Sequence, residues 1–121
     1  MKKGLRLLLP ILPLGLLPAG AAEDKAAGTV DVHLSEYAIK MPDTLPAGPT
    51  TFVVYNDGNK VHSFRIEGPG LSDAILAKPV PPQETENLQV TLQPGEYKVY
   101  CPVGSHENKG MKTTLKVTAK P

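Results

Sequence analysis

The sequence predicts an all-β protein, a Greek-key β-sandwich of about seven to eight strands, preceded by a secretory signal peptide. Short runs rich in β-branched and aromatic residues recur from residue 29 onward. Clusters of Pro, Gly, Asn and Asp separate these runs, as turns do between short strands. No segment shows the 3.6-residue apolar period of a long amphipathic helix.

The first 21 residues have the layout of a cleaved secretory signal. Their start is positively charged, residues 7–17 are mostly apolar, and Ala19 and Ala21 provide small side chains at the usual cleavage positions. Three prolines interrupt the segment, which favours cleavage over retention as a membrane-spanning anchor. We therefore expect export to the periplasm or to the outside of the cell.

Cleavage after Ala21 divides the chain into three parts: a signal peptide (1–21), a short flexible leader (22–28) and one domain (29–121). Three of the 13 basic residues precede the cleavage site, whereas all 12 acidic residues follow it, so the mature net charge is −2. A chain with this balance lacks the basic footprint of a nucleic-acid-binding protein.

Seven segments are predicted as strands because they combine β-branched residues with alternating polarity: 29–34, 36–40, 50–55, 61–67, 87–92, 96–101 and 111–118. The connection over 68–86 is the least regular part. Ser72 and Asp73 predict a turn of helix that runs through Ala77 and ends before the following prolines.

Strand register places three sulfur- or imidazole-bearing residues on inward faces, since side chains alternate between the two faces of a sheet. His62, Cys101 and Met111 each lie at one end of a predicted strand, in phase with its apolar residues. His106 lies on the loop between the last two strands. These four side chains can therefore meet at one pole of the sandwich, whereas His33 is out of phase with the apolar residues around it and is expected to be exposed.

Cys101 is the single cysteine of the sequence. Structural cysteines of exported proteins normally form disulfides, because the compartment oxidises them. Three interpretations remain for an unpaired one: an intermolecular link, an inert buried thiol, or a thiolate held by a metal or a catalytic partner. A cysteine–histidine hydrolase would also need an orienting side chain and a substrate cleft, for which so small a sandwich has little room.

The spacing Cys-x4-His-x4-Met, with His62 in phase upstream, favours a copper site. Zinc rarely accepts a methionine ligand. Two imidazoles and one thiolate in a trigonal plane, with a weak axial thioether, describe a blue-copper electron-transfer centre. The sequence therefore predicts one copper per chain. A single cysteine excludes a binuclear copper centre with two bridging cysteines, and three histidines are too few for a multicopper oxidase.

Two segments carry a family resemblance, LPAGPTTFVVYNDGNKVHSF (45–64) and LQPGEYKVYCPVGSHENKGMKTTLKV (92–117). They resemble the cupredoxins, the plastocyanin/azurin superfamily of small blue-copper proteins, and the resemblance extends over about 29–118. The loop combines the cysteine-to-histidine spacing of azurins with the histidine-to-methionine spacing of plastocyanins. It also resembles the family in the Pro-Gly-x-Tyr corner that contains Tyr97.

The resemblance implies a role for each site residue. The equatorial ligands would be His62, Cys101 and His106, the axial ligand Met111, and the supporting residues Asn56, as a brace of the ligand loop, and Ser63, whose backbone N–H would point at the cysteine sulfur.

The predicted function is that of a monomeric, exported, non-enzymatic carrier that cycles one copper between Cu(I) and Cu(II) and exchanges electrons with larger redox proteins. His106 would be the electron port, with Met41, Pro102 and Val103 around it as a docking surface. Two alternatives stay open: a copper-handling protein that uses the same ligands for resistance or metal delivery, and a metal-free cupredoxin-like interaction module.

Overall fold

The structure is a computed structural model that describes residues 28–120. The predicted signal peptide and nearly all of the predicted leader lie outside the described residues. Within 28–120 the chain forms nine strands and a single 3-10 turn, Glu107–Lys109. The strands are β1 (Thr29–Ser35), β2 (Ala38–Lys40), β3 (Thr44–Pro46), β4 (Gly48–Asn56), β5 (Arg65–Glu67), β6 (Ala74–Ile75), β7 (Thr85–Leu92), β8 (Gly95–Tyr100) and β9 (Lys112–Thr118).

The strands form two sheets, and the chain crosses repeatedly between them. One sheet has the order β2-β1-β4-β7 and the other the order β3-β9-β8-β5-β6. β1 pairs with β4 in parallel, as does β3 with β9, and the remaining pairs are antiparallel. The predicted all-β sandwich is confirmed. The predicted seven to eight strands are too few, because β3 and β6 are only three and two residues long and too short to show alternation.

Two predicted elements differ from the structure. The strand expected over 61–67 is confined to β5, and His62 instead makes an isolated bridge with Val80, in which each backbone N–H donates to the other residue's carbonyl. The helical turn expected to begin at Asp73 is absent, and β6 stands in its place. Asp73 adopts a positive φ of 60° and its carboxylate accepts from Arg65 Nη1 at 3.0 Å, so it is bound across to β5 instead of capping a helix.

The core lies between the two sheets and follows the alternation of the longer strands. Val32 and Leu34 of β1 face inward, as do Phe52 and Val54 of β4, and all four are fully buried. His33, between the two β1 residues, is half-exposed and stacks on Tyr55. In the described part of the chain, no helix has the length and apolar character needed to cross a membrane.

Tyr97 closes the core at the start of β8 in the manner of a tyrosine corner. Its side chain is buried, its hydroxyl donates to the carbonyl of Pro69 at 2.6 Å, and it accepts from the N–H of Gln93 at 2.8 Å. Gly68 lies directly against the ring, where a Cβ would collide with the aromatic carbons. This corner fixes the start of β8, the strand that ends next to Cys101.

Candidate metal centre

Three ligand-type side chains converge at the pole where β8 ends. His62 and Cys101 are completely buried, and His106 is partly buried. The Sγ atom of Cys101 lies 3.6 Å from Nδ1 of His106 and 4.0 Å from Nδ1 of His62. Two donor atoms bound to one metal at about 2.0–2.3 Å and about 120° apart would be about 3.8 Å from each other. The two sulfur-to-nitrogen distances fit ligands of one ion, and the ligand atoms of the three residues all lie within 4.8 Å of one another.

The loop between β8 and β9 brings Met111 to the same place. The backbone N–H of Cys101 donates to the carbonyl of Met111 at 3.1 Å, and the N–H of Met111 donates to the carbonyl of His106 at 3.1 Å. Gly110 makes the reversal after the 3-10 turn with a φ of 107°, a conformation that favours glycine. Met111 is fully buried. His62, Cys101, His106 and Met111 are thus positioned to bind one copper.

The sulfur of Cys101 has a backbone donor. The N–H of Ser63 points at Sγ at 3.4 Å, and Ser63 itself is buried. An N–H directed at a thiolate stabilises its negative charge.

The side chain of Asn56 makes hydrogen bonds to the turn before His62 and to the segment at Val80. Its Nδ2 donates to the carbonyls of Lys60 at 2.7 Å and Val80 at 2.8 Å, and its Oδ1 accepts from the N–H of Gly58 at 2.8 Å. Asn56 is the last residue of β4, and these bonds hold the turn that leads into His62 and the segment at Val80 that pairs with His62.

Glu36, a residue that sequence reasoning did not single out, lies behind His62. Nε2 of His62 donates to Oε1 of Glu36 at 3.0 Å, which leaves Nδ1 on the side of Cys101. The N–H groups of Asn59 and Lys60 also donate to this carboxylate. The bond from His62 is the largest contribution that holds the pKa of Glu36 below its usual value, the two backbone donors add to it, and partial desolvation opposes it.

Tyr37, the next residue, lies against the other histidine. Its ring packs edge-on to that of His106, with centroids 5.1 Å apart, and Nζ of Lys109 lies 5.0 Å from the centre of the Tyr37 ring. Burial is the main factor that lowers the pKa of His106; the charges of Lys109 and Lys60, and that of His62 whenever its ring is protonated, lower it further, and the carboxylate of Glu36 opposes them. Neither Glu36 nor Tyr37 carries a ligand spacing or strand phase by which the sequence could have shown its position.

The donor chemistry fits copper. A buried thiolate and two imidazoles supply the soft and borderline ligands that copper accepts, and a fully buried thioether adjoins them in the chain. The carboxylate nearest the group, that of Glu36, is turned to the far side of His62. The residues present therefore match the predicted ligand set.

A cleft of about 440 Å³ lies at the other end of the sandwich, where β1 and β4 begin. Its lining includes Val30, Leu45 and Thr50, and none of its lining residues belongs to the metal group. This cleft is therefore not a substrate site for a reactive Cys101.

The chain was compared with known proteins and structures. A family model described as a cupredoxin-like domain matches residues 8–115. Comparison with curated protein sequences gives no match. Among solved structures, dithionite-reduced auracyanin from the photosynthetic bacterium Roseiflexus castenholzii is 23% identical with a TM-score of 0.62, over 78% of this chain and 99% of that one.

Two further structures show the same fold, one over most of its length and the other over less than half of it. Auracyanin B is 20% identical with a TM-score of 0.63, over 78% of this chain and 91% of that one. A multicopper oxidase is 18% identical with a TM-score of 0.59, over 76% of this chain but only 42% of the oxidase. The family match spans most of the sequence and agrees with the sandwich and its ligand group, so the chain belongs to the family of cupredoxin-like domains.

Proposed function

We propose that the protein is an exported, mononuclear blue-copper electron carrier that exchanges electrons with larger redox proteins and catalyses no reaction of its own. The observation that carries this proposal is the buried Sγ of Cys101 with two imidazole nitrogens at 3.6 and 4.0 Å. Copper bound there supplies a one-electron change between Cu(I) and Cu(II).

The contribution of the polypeptide is to fix the ligands in position and to shield them from water. His62, Cys101 and His106 would be the equatorial ligands, and Met111 the weak axial one. Three of these four side chains are fully buried, and backbone hydrogen bonds tie Cys101 to Met111 and Met111 to His106. A trigonal set held in this way suits both oxidation states, so little has to move when an electron is transferred.

His106 is the ligand through which electrons would enter and leave. It alone among the four is partly exposed. Met41 and Val103 are half-buried apolar residues that pack against the core, and Pro102 follows the cysteine directly. We assign these residues to the docking surface for redox partners.

The similarity to auracyanin supports the carrier proposal. The chain accounts for nearly the whole of the auracyanin structure but for less than half of the multicopper oxidase. We further propose that the protein is a monomer and that its N-terminal segment directs its export. The domain over 29–121 would then bind copper after export.

A titration of the purified protein with Cu(II), followed by optical absorption and electron paramagnetic resonance, tests the proposal. We expect an intense thiolate-to-copper band that saturates at one copper per chain, with narrow copper hyperfine splitting. Cys101→Ser should abolish the band because it removes the thiolate. His33→Gln is the matched histidine control and should leave the band intact, since His33 is bound to Asp57 away from the site. Failure of wild-type protein to bind copper stoichiometrically would refute the ligand assignment and leave the metal-free interaction module.

A copper-handling role is the second candidate, favoured by the partial exposure of His106, which a chelator or an acceptor protein can reach. A carrier must retain its copper over many electron transfers, whereas a donor must release it. Slow loss of copper to a chelator would support the carrier, and loss within seconds would support copper handling.

A further inference from the structure

The β1–β2 turn places a carboxylate behind the one ligand histidine that is fully buried. Nε2 of His62 lies 3.0 Å from Oε1 of Glu36, whose side chain is 23% exposed. A carboxylate only accepts hydrogen bonds, so the proton of a neutral His62 ring lies on Nε2, and Nδ1 keeps its lone pair. That lone pair is on the side of Cys101 Sγ.

The carboxylate is itself held in place. The N–H of Asn59 donates to both oxygens, at 2.9 and 3.1 Å, and the N–H of Lys60 donates to Oε1 at 3.1 Å. Gly58 lies so close that any Cβ there would collide with Oε1. The turn before His62 is therefore shaped around this carboxylate, which does not depend on a metal to stay in position.

We infer that Glu36 is a positioning residue that sets the tautomer of His62 before copper arrives and sets the donor strength of that ligand afterwards. A backbone carbonyl in its place would fix the ring but would bring no charge. The negative charge of Glu36 makes Nδ1 a stronger donor, and a stronger donor favours Cu(II) over Cu(I). The second part of the inference rests on the proposed function, whereas the first concerns the metal-free protein alone.

Two measurements test the inference, and both must agree with it. In metal-free protein, long-range ¹H–¹⁵N correlation spectra should show His62 as a single tautomer protonated at Nε2. Glu36→Ala should convert it into a mixture of tautomers, because the acceptor is gone. A single unchanged tautomer in a folded Glu36→Ala variant overturns the inference.

The second measurement is the reduction potential of the copper-loaded Glu36→Gln variant, which keeps an acceptor oxygen but loses the charge. We expect the ratio of Cu(II) to Cu(I) affinity to fall at least tenfold, which raises the potential by at least about 59 mV. Glu96→Gln is the matched control, since it removes one carboxylate at the far end of β8 from Cys101. An equal shift in the two variants overturns the inference.

The two failures are distinguishable. If wild-type protein forms no blue complex, the proposed function fails, while the His62 tautomer can still be measured in the metal-free protein. If Glu36→Ala does not fold, the tautomer and potential of Glu36→Gln decide the matter: a potential shift no larger than that of Glu96→Gln overturns the inference.

Discussion

His62 and His106 offer the same ligand atom in opposite electrostatic surroundings. His62 is buried with a carboxylate at its back, whereas His106 is partly exposed, with Tyr37 at its edge and two lysines near enough to oppose a positive charge on it. Burial first, and the lysine charges second, lower the pKa of His106 below that of a free imidazole. The site keeps its most accessible ligand neutral, the form that binds a metal.

The pH dependence of the metal-free protein should show this difference. The pKa of folded His106 lies below its usual value of 6.5. As the pH falls below 6.5, the unfolded chain takes up a proton that folded His106 does not, so the free energy of unfolding decreases until the pH has passed the folded pKa. NMR titration of the His106 ring measures that pKa directly.

Lys109→Met should raise the pKa of His106 towards its usual value, because it removes one of the opposing charges. Lys116→Met, on an exposed position of β9, is the control and should leave it unchanged. A pKa of 6.5 or higher for His106 in the wild-type protein would contradict the electrostatic account.

At the scale of elements, Asn56 joins the end of β4 to the two segments that flank His62. Its side chain is 1% exposed and serves three backbone groups, those of Lys60, Val80 and Gly58. A buried backbone group that loses its partner costs about 1–3 kcal/mol. The asparagine is thus a structural support for the turn that carries the first ligand.

Asn56→Ala should lower the free energy of unfolding by about 2–4 kcal/mol, because the N–H of Gly58 and the carbonyl of Lys60 lose their hydrogen bonds to its side chain, while the carbonyl of Val80 keeps only the N–H of His62. Urea denaturation of the metal-free protein measures the change. Asn87→Ala, at an exposed position of β7, is the matched control and should change stability by less than about 0.5 kcal/mol. A similar small effect at Asn56 would mean that water replaces its hydrogen bonds.

The sequence predicts the longer elements and the ligand-type residues well, because both leave a repeated or chemical pattern. β1, β4 and β7 to β9 show alternation over six or more residues. β3 is held by pairing with β9, which is distant in sequence, and β6 is a two-residue strand paired with β5, so neither carries a pattern of its own. Glu36 and Tyr37 escape prediction for a related reason: only the folded turn shows which histidine each one contacts.

At the scale of the whole molecule, the ligand group couples copper binding to folding. Its members come from the segment before β5 and from the loop between β8 and β9, and these three strands belong to the same sheet. A metal that binds the folded chain and not the unfolded one stabilises it by about 4 kcal/mol at a free concentration a thousandfold above its dissociation constant. Copper should therefore raise the melting temperature.

Thermal unfolding of wild-type protein with and without one equivalent of copper measures this gain. Cys101→Ser should lose most of it, because the thiolate is absent, while His33→Gln should retain it. Equal stabilisation of wild type and Cys101→Ser would show that copper acts elsewhere on the chain.

The parallel pairing of β3 with β9 sets the timing of assembly. β3 is made early, yet it completes its hydrogen bonds only with residues 116–118, and Cys101 reaches the carbonyl of Met111 only when β8 and β9 have met. Contacts this distant in sequence form late in folding. A chain still emerging from the ribosome or crossing a membrane therefore displays isolated imidazole and thiol groups, which hold metals far more weakly than the joined set. The complete ligand set is therefore available to a metal only after β9 has been made and has paired with β8.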